Sequence, residues 1–288
     1  MKAVCEVAGI SKQALHQYRS RALGRLNQAN EFFERADTIR RQHPRVGCRK
    51  MALDMIGKGW GRDKIEKLLL NNGYRVYYPP NYTRTTSAQY ELYFPNLIEG
   101  LELNNINQVL QTDITYYRVG NRFYYLVFII DVYSRRIVGH AVSKTLEAEG
   151  NIKALIKMLG TRKNDSISKM IHHSDRGSQY IDKEYLSILK GNEVQISMCK
   201  EAWENAYSER INRTIKEEYL DGWQISDFAT LSRLLNKAVK HYNHKRRHQS
   251  LDWQTPIQFE KNVNNLAADQ RPKFKLYNPI ETCAQNQL

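Results

Sequence analysis

Residues 108–143 hold three β-rich runs in immediate succession: QVLQTDITYYRV, NRFYYLVFIIDVY and RRIVGHAVS. Gly120-Asn121 and Ser134-Arg135 supply the turns between them. Connections this short join antiparallel neighbours, so the runs predict a three-stranded meander. The texture then alternates. Leu146, Ile152, Leu155, Ile156 and Leu159 recur at helical spacing over 146–160, and Lys169 to His172 reads as a short strand leading to Asp175. A helix fits 182–190, a strand fits VQIS at 194–197, and a long helix starts near Trp203. A meander continued by α-β-α-β-α predicts a mixed sheet flanked by helices.

The chain before this region is helical in pattern. Residues 4–24 read as two short helices around a turn at Gly9, with Val4, Val7 and Ala8 on the first. Ser11 is placed to cap the second, which carries Leu15 and Tyr18 on one side and Lys12, Gln13, His16, Gln17, Arg19 and Arg21 on the others. A polar and basic second helix is the layout of a helix-turn-helix, with Lys12 and Arg19 facing nucleic acid. Residues 27–43 read as a linking helix. A second two-helix unit follows: Met51, Ala52, Met55 and Ile56 form one apolar side, Ile65, Leu68 and Leu69 another, and Gly73 closes it. Arg49 and Lys50 stay outside. Residues from 77, opening with YYPPNYTRTTS, show no period and read as a linker.

Charge agrees with that division. The chain carries +14, and residues 1–84, with 17 Lys and Arg against 7 Asp and Glu, hold +10 of it. So basic a chain with 41% hydrophobic residues implies a folded protein with a polyanionic partner, most often a nucleic acid, DNA or RNA. The cysteines at 5, 48, 199 and 283 form no CxxC pair, so neither a zinc knuckle nor a disulfide framework is indicated. MKAVCEVAGISKQ lacks the apolar core of a signal peptide, and the longest apolar run, FYYLVFII, is far short of the ~20 residues of a membrane helix. A cytoplasmic protein with no membrane partner is expected.

Three carboxylates stand out against the basic background. Asp113 lies inside the first strand among Val109, Leu110, Ile114 and Tyr116, where a carboxylate must be paired, hydrogen-bonded or metal-bound. Asp175 follows the fourth strand in HHSDRGSQY; if the two strands are neighbours, both acids meet at one end of the sheet. Glu209 sits early in the helix ENAYSERINRTIKEEYL, with Arg213 and Lys216 continuing its face. Three converging acids without cysteine make a hard oxygen site suited to Mg²⁺ or Mn²⁺ in a two-metal arrangement. Asp131 reads as structural, paired with Arg135 or Arg136. His172 and His173 point to opposite faces of a strand, so one should pack in the core and the other lie near DNA. His241, His244 and His248 share a helical spacing suited to packing, and Lys245, Arg246 and Arg247 to phosphate contact. Trp203 and Trp253 read as core residues.

QTDITY, HHSDRGSQY and NAYSERINRTIKEEY closely resemble the three catalytic motifs of DDE transposases with an RNase H-like core, a core shared with retroviral integrases. HPRVGCRK at 43–50, IDVYSRRIVGH at 130–140 and YNHKRRHQSLDWQTP at 242–256 resemble the bacterial insertion-sequence subgroup whose catalytic protein comes from the second of two overlapping frames. The resemblance spans roughly residues 4–260. It implies an RNase H-like α/β fold preceded by all-α helix-turn-helix segments, divided into a helical DNA-binding region at 1–76, a linker at 77–104, the core with C-terminal helices at 105–262 and a polar tail at 263–288. It implies Asp113, Asp175 and Glu209 as the metal-binding catalytic triad. The N-A-x-x-E pattern at 205–209 selects Glu209 over its neighbours Glu204 and Glu217. The implied reaction is nicking of DNA at the element's ends, then strand transfer by the freed 3′-hydroxyl. A homo-oligomer on paired ends, an upstream-frame DNA-binding protein and a bacterial, nucleoid-associated location are implied with it. Leu110 stands where many relatives carry Trp, Arg247 replaces a common Pro, and 33 residues separate Asp175 from Glu209. A silent DNA-binding regulator and an RNase H-like nuclease without strand transfer are the other readings.

Overall fold

The computed structural model describes residues 9, 11–57, 59–77, 94–163 and 167–276. The chain divides into two compact units, Met1–Pro79 and Pro80–Leu288.

The first unit is built on helix α1 (Lys12–Gln42), with α2 (Cys48–Leu53) and α3 (Arg62–Asn71). Ser11 caps α1 as its position suggests, its side chain accepting from the Ala14 amide at 3.0 Å. The helix does not stop near Gly24: the expected recognition helix and the linking helix are one continuous element of 31 residues. The expected first helix at 4–8 lies outside the described residues. Phe32, Ala36, Met51, Ala52, Met55, Ile65 and Leu69 close a small core. Ile56, expected among them, is 56% exposed, because α2 ends at Leu53 and the chain turns away through Gly57 and Gly59, both at positive φ.

The second unit is centred on a five-stranded mixed sheet. Strands β2 (Val109–Val119), β3 (Arg122–Asp131) and β4 (Ile137–Ser143) form the antiparallel meander. Strands β5 (Ile171–Ser174) and β6 (Gln195–Met198) extend it in parallel on the β2 side. A two-stranded ribbon pairs β1 (Glu102–Leu103) with β7 (Phe274–Lys275).

Alternation along β3 shows why the sheet needs cover on both sides. Leu126, Phe128 and Ile130 face one cluster, with Ile211 and Ile215 of helix α6 (Ala206–Glu218) and Leu231, Leu235 and Ala238 of helix α7 (Phe228–His244). Val127 and Ile129 face the other, with Ala154, Leu155 and Met158 of helix α4 (Ala148–Thr161) and Tyr185 and Leu189 of helix α5 (Lys183–Gly191). Helix α4 lies so close to β4 that a Cβ on Gly139 would stand 2.3 Å from the Ala154 carbonyl oxygen. The last helix, α8 (Pro256–Asn264), begins with a capping box between Thr255 and Gln258 and adds Phe259 and Val263 to a third cluster with Val109, Val132 and Tyr133. Among the described residues no helix is long and apolar enough to cross a membrane.

Asp131 is structural, as its place in a strand suggests, but its partner differs from the expected one. It is fully buried, accepts from the Asn107 and Ser134 amides, and pairs with Arg162 at 3.2 Å. Arg162 also reaches Glu260 of α8 at 2.6 Å, and Glu260 takes Arg136 as well. This buried network fastens α8 to the sheet through charges that satisfy one another.

Candidate active site

The parallel ladder between β2 and β5 pairs Gln111 with His173. Two residues further along each strand direction come Asp113 and Asp175, so both carboxylates stand just past the same end of this ladder. Asp113 still lies in β2; Asp175 has just left β5. Burial pushes the Asp113 carboxyl up to about 8, helped by the negative charge of Asp175 and less by that of Glu209, against the Ile114 amide and Lys216. Burial also raises Asp175, opposed by the Gly177 amide, which donates to its Oδ1 at 3.0 Å. The Asp113 Oδ1 accepts from the Ile114 amide at 2.9 Å.

Helix α6 brings the third acid, and β2 itself fixes where that helix starts. Gln111 is buried; its amide donates to the Glu204 carbonyl at 2.8 Å, and its Oε1 accepts from the Tyr207 amide at 3.1 Å. Asn205 donates to the Thr112 carbonyl at 2.9 Å. In the second turn of α6, Asn212 Nδ2 donates to Asp113 Oδ2 at 2.7 Å. Glu209 lies in the first turn, exposed, its carboxyl raised by partial desolvation against the opposing charge of Arg213.

The neighbouring acids are differently occupied. Glu204 is buried: its oxygens accept from Asn96 and from the Lys200 and Glu201 amides, which makes it the cap of the turn before α6. Glu217 lies two turns beyond Glu209 on the same helix. Gln111 and Asn212 were not among the residues singled out from sequence. Their signal was present: a glutamine inside an apolar strand, and an asparagine one helical turn from Glu209.

Several expectations change. His172 and His173 are both buried, so neither lies at a surface. His172 meets the Tyr185 hydroxyl at 3.0 Å and His173 meets Ser197 at 2.9 Å; burial pushes them down to about 4 and about 3. Trp203 is 40% exposed and Trp253 partly buried, so Trp203 is not a core residue. His248 lies beyond the end of α7 and shares no helical face with His241 and His244.

Two integrase core domain models match the chain, one over residues 104–202 and the other over 191–256. A transposase for insertion sequence element IS904 of Lactococcus lactis subsp. lactis (strain IL1403) is 32% identical over 171 residues, 58% of this chain and 67% of the relative. This chain belongs to the insertion-sequence transposases. An uncharacterized 31 kDa protein of insertion element IS600 from Shigella sonnei is 26% identical over 274 residues, 92% of this transposase and 100% of that protein. An HTLV-2 integrase catalytic core domain solved with magnesium superposes with a TM-score of 0.45 at 17% identity, covering 57% of this transposase and 99% of that chain.

The donor set of the transposase suits a hard cation. Asp113, Asp175 and Glu209 are all oxygen donors, and Asp113 feels the charge of both others. Asn212 Oδ1 is buried beside them without a hydrogen-bond partner. Negative charge and an orphaned acceptor are thus gathered where burial penalises both, which favours a cation over an empty acidic pocket. Among the described residues no three acids, histidines or cysteines are closed into a ready-made cage.

The basic residues expected to meet nucleic acid divide into two groups. Lys12, Arg19 and Arg49 are exposed on the first unit, with Lys50 partly buried; Arg213 and Lys245 are exposed on the second. Lys216 donates to Thr115 Oγ1 at 2.8 Å, beside the acids. Arg246 is a correction: its guanidinium makes a two-pronged pair with Glu218, at 2.7 Å and 2.6 Å, and stays within the fold. Arg247 donates to the Trp253 carbonyl at 3.1 Å.

Proposed function

We propose that this transposase cuts DNA at the ends of its element and joins the freed 3′-hydroxyl to target DNA, with Asp113, Asp175 and Glu209 as its catalytic residues. The observation that carries this reading is the in-phase arrival of Asp113 and Asp175 at the end of the β2–β5 ladder, with α6 tied to the same strand. Asp113, Asp175 and Glu209 would hold Mg²⁺ or Mn²⁺. When bound, such ions offer Lewis-acid stabilisation of charge on the attacking and leaving oxygens.

The chain's own residues prepare the site. The Ile114 amide donates to Asp113 Oδ1 and Asn212 to Oδ2, and both bonds favour the charged carboxylate against the burial that raises it. The Gly177 amide fixes Asp175. In the first step a water oxygen bonds to phosphorus, the 3′-oxygen leaves, and the strand ends in a 3′-hydroxyl. In the second, that hydroxyl's oxygen bonds to the phosphorus of a target phosphodiester, and the target strand's 3′-oxygen leaves as a new 3′-hydroxyl. No protein nucleophile enters either step. Lys216 and Arg213 stand beside the acids to take phosphate oxygens, with Lys12, Arg19, Arg49, Lys50, Lys245 and Arg247 as further backbone contacts. Chemistry at two ends calls for a homo-oligomer, and an upstream-frame DNA-binding protein would add recognition of the terminal repeats. A reaction on the bacterial chromosome places the protein in the cytoplasm.

Nicking and joining of labelled element-end DNA in Mg²⁺, wild type beside Asp175→Asn, tests the reading, with binding followed by gel shift. Joined products from the wild type alone, with binding by both, are expected. Nicks without joined products point to a nuclease. Equal cleavage by both proteins overturns the assignment of Asp175.

A further inference from the structure

The β2–β5 ladder ends at Gln111 and His173, but β2 runs eight residues further, to Val119. On this extension the β2–β3 hairpin carries Tyr116, Arg118, Phe123 and Tyr125 on one face, since Tyr116 stands opposite Tyr125 and Arg118 opposite Phe123. Tyr116 and Phe123 meet edge to face at 5.8 Å between ring centres. Cross-strand pairing explains that contact. It does not explain why the rings are left in solvent, 39% and 52% exposed, rather than covered by α4 as Val127 and Ile129 are.

Cations flank both rings. The Arg118 guanidinium lies 6.0 Å from the Phe123 ring, and the Lys216 ammonium lies 6.0 Å from the Tyr116 ring. Lys216 is also held by Thr115, two residues from Asp113, so the ledge and the acids share a side chain. Tyr125 forms one wall of an open cavity of about 750 Å³, with Lys144 and Leu146 on one side and Ser178 and Gln179 from the loop after Asp175 on another. Tyr125, the cross-strand partner of Tyr116, thus faces the loop after Asp175 across this cavity.

We propose that Tyr116 and Phe123 form a stacking ledge for unpaired bases of the DNA strand being processed. The proposal rests on the DNA-cleaving function proposed above and deepens it. Aromatic rings interleaved with cations suit a single strand, because rings stack on bases of any sequence while cations follow the phosphates. A duplex shields its base faces and offers such rings nothing. The ledge would therefore select DNA ends that are frayed or opened next to the scissile bond.

The test is fluorescence anisotropy of the full-length protein without divalent metal, so that cleavage plays no part. The probes are a blunt duplex and the same duplex with a short unpaired 3′ tail. The wild type should prefer the tailed probe. Tyr116→Ala/Phe123→Ala should weaken the tailed probe roughly tenfold to a hundredfold and leave the blunt duplex within about threefold. Phe123→Trp should keep the preference. If the double variant melts early, Phe123→Ala alone, at a half-exposed position, takes its place. No preference in the wild type, or equal loss on both probes, overturns the ledge while leaving the catalytic reading intact. Failure of the wild type to bind either probe overturns both.

Discussion

Asn212 Nδ2 donates to Asp113 Oδ2 across 2.7 Å, joining residues 99 apart in sequence. Because the bond favours the charged carboxylate, removing it raises a carboxyl already pushed up to about 8. Asn212→Ala should therefore lower nicking at pH 7 by roughly tenfold, the scale of a hydrogen bond to a charged group, and part of the loss should return at pH 9. A pH–rate profile of both proteins in Mg²⁺ measures this. A loss independent of pH would mean that Asn212 acts only through packing.

Stability without metal should depend on Asp113 in a defined direction. Its folded carboxyl, at about 8, lies above the unfolded value of 3.8. Between these values the folded state binds the extra proton, so this group's contribution to stability falls as pH rises from about 4 to about 8. Asp113→Asn should raise the melting temperature by several degrees at pH 8 and hardly at pH 4. Adding Mg²⁺ at pH 8 should stabilise the wild type and not the variant. Calorimetry in EDTA and in Mg²⁺ checks both statements.

The three acids around the start of α6 should separate cleanly. Glu209→Gln should abolish nicking with an unchanged melting temperature. Glu204→Gln weakens a buried cap that takes three donors, and should cost stability on the order of 1–3 kcal/mol. Glu217→Gln should alter neither. Melting curves beside nicking rates decide the register, and an active, fully folded Glu209→Gln would remove Glu209 from the site.

Arg246→Ala leaves Glu218 charged and without its two-pronged partner in a partly buried place. Loss of stability on the order of 3–5 kcal/mol should follow, with DNA affinity per folded molecule nearly unchanged. Arg246→Met/Glu218→Leu should recover most of it. Denaturant unfolding and gel shifts at matched folded concentration test this; a weakened gel shift in a fully stable Arg246→Ala would return Arg246 to the DNA surface.

A Cβ on Gly177 would stand 3.1 Å from Asp175 Oδ1 and 2.7 Å from Gln179 Oε1. The glutamine end can swing away, whereas the carboxylate is held by the Gly177 amide. Gly177→Ala should slow nicking several-fold and raise the Mg²⁺ concentration needed for half-maximal rate, with stability nearly unchanged. A metal titration of the rate reads this directly.

The sheet was legible because its determinants are local. The three β-rich runs, the Gly120-Asn121 turn and the Ser11 cap each act within a few residues, and the structure places them as expected. Continuity of α1 through Gly24 was not legible, because an interior glycine costs about 1 kcal/mol and reads as a stop. The Asp131 partner was missed because arginines four and five residues away suggested a local pair, while Arg162 stands 31 residues on. In the site, Asp113 was readable as a carboxylate inside a strand and Asp175 as one just past the end of another. The parts of Gln111 and Asn212 were not, because their hydrogen bonds run to residues 93 to 99 away and leave no periodic trace. Burial of both histidines depended on the partner that covers each face of β5, which alternation alone does not name.

The ties from Gln111, Thr112 and Asp113 to the start of α6 also govern when the enzyme comes into being. Every one of them closes a loop of more than ninety residues, so each costs chain entropy that only the finished sheet repays. A ribosome that has made β2, and even β5, has not yet gathered the three acids: α6, which carries Glu209, is still to be synthesised and has nothing to dock on until the strands are paired. A nascent or half-folded chain therefore carries its basic first unit before the three acids are brought together.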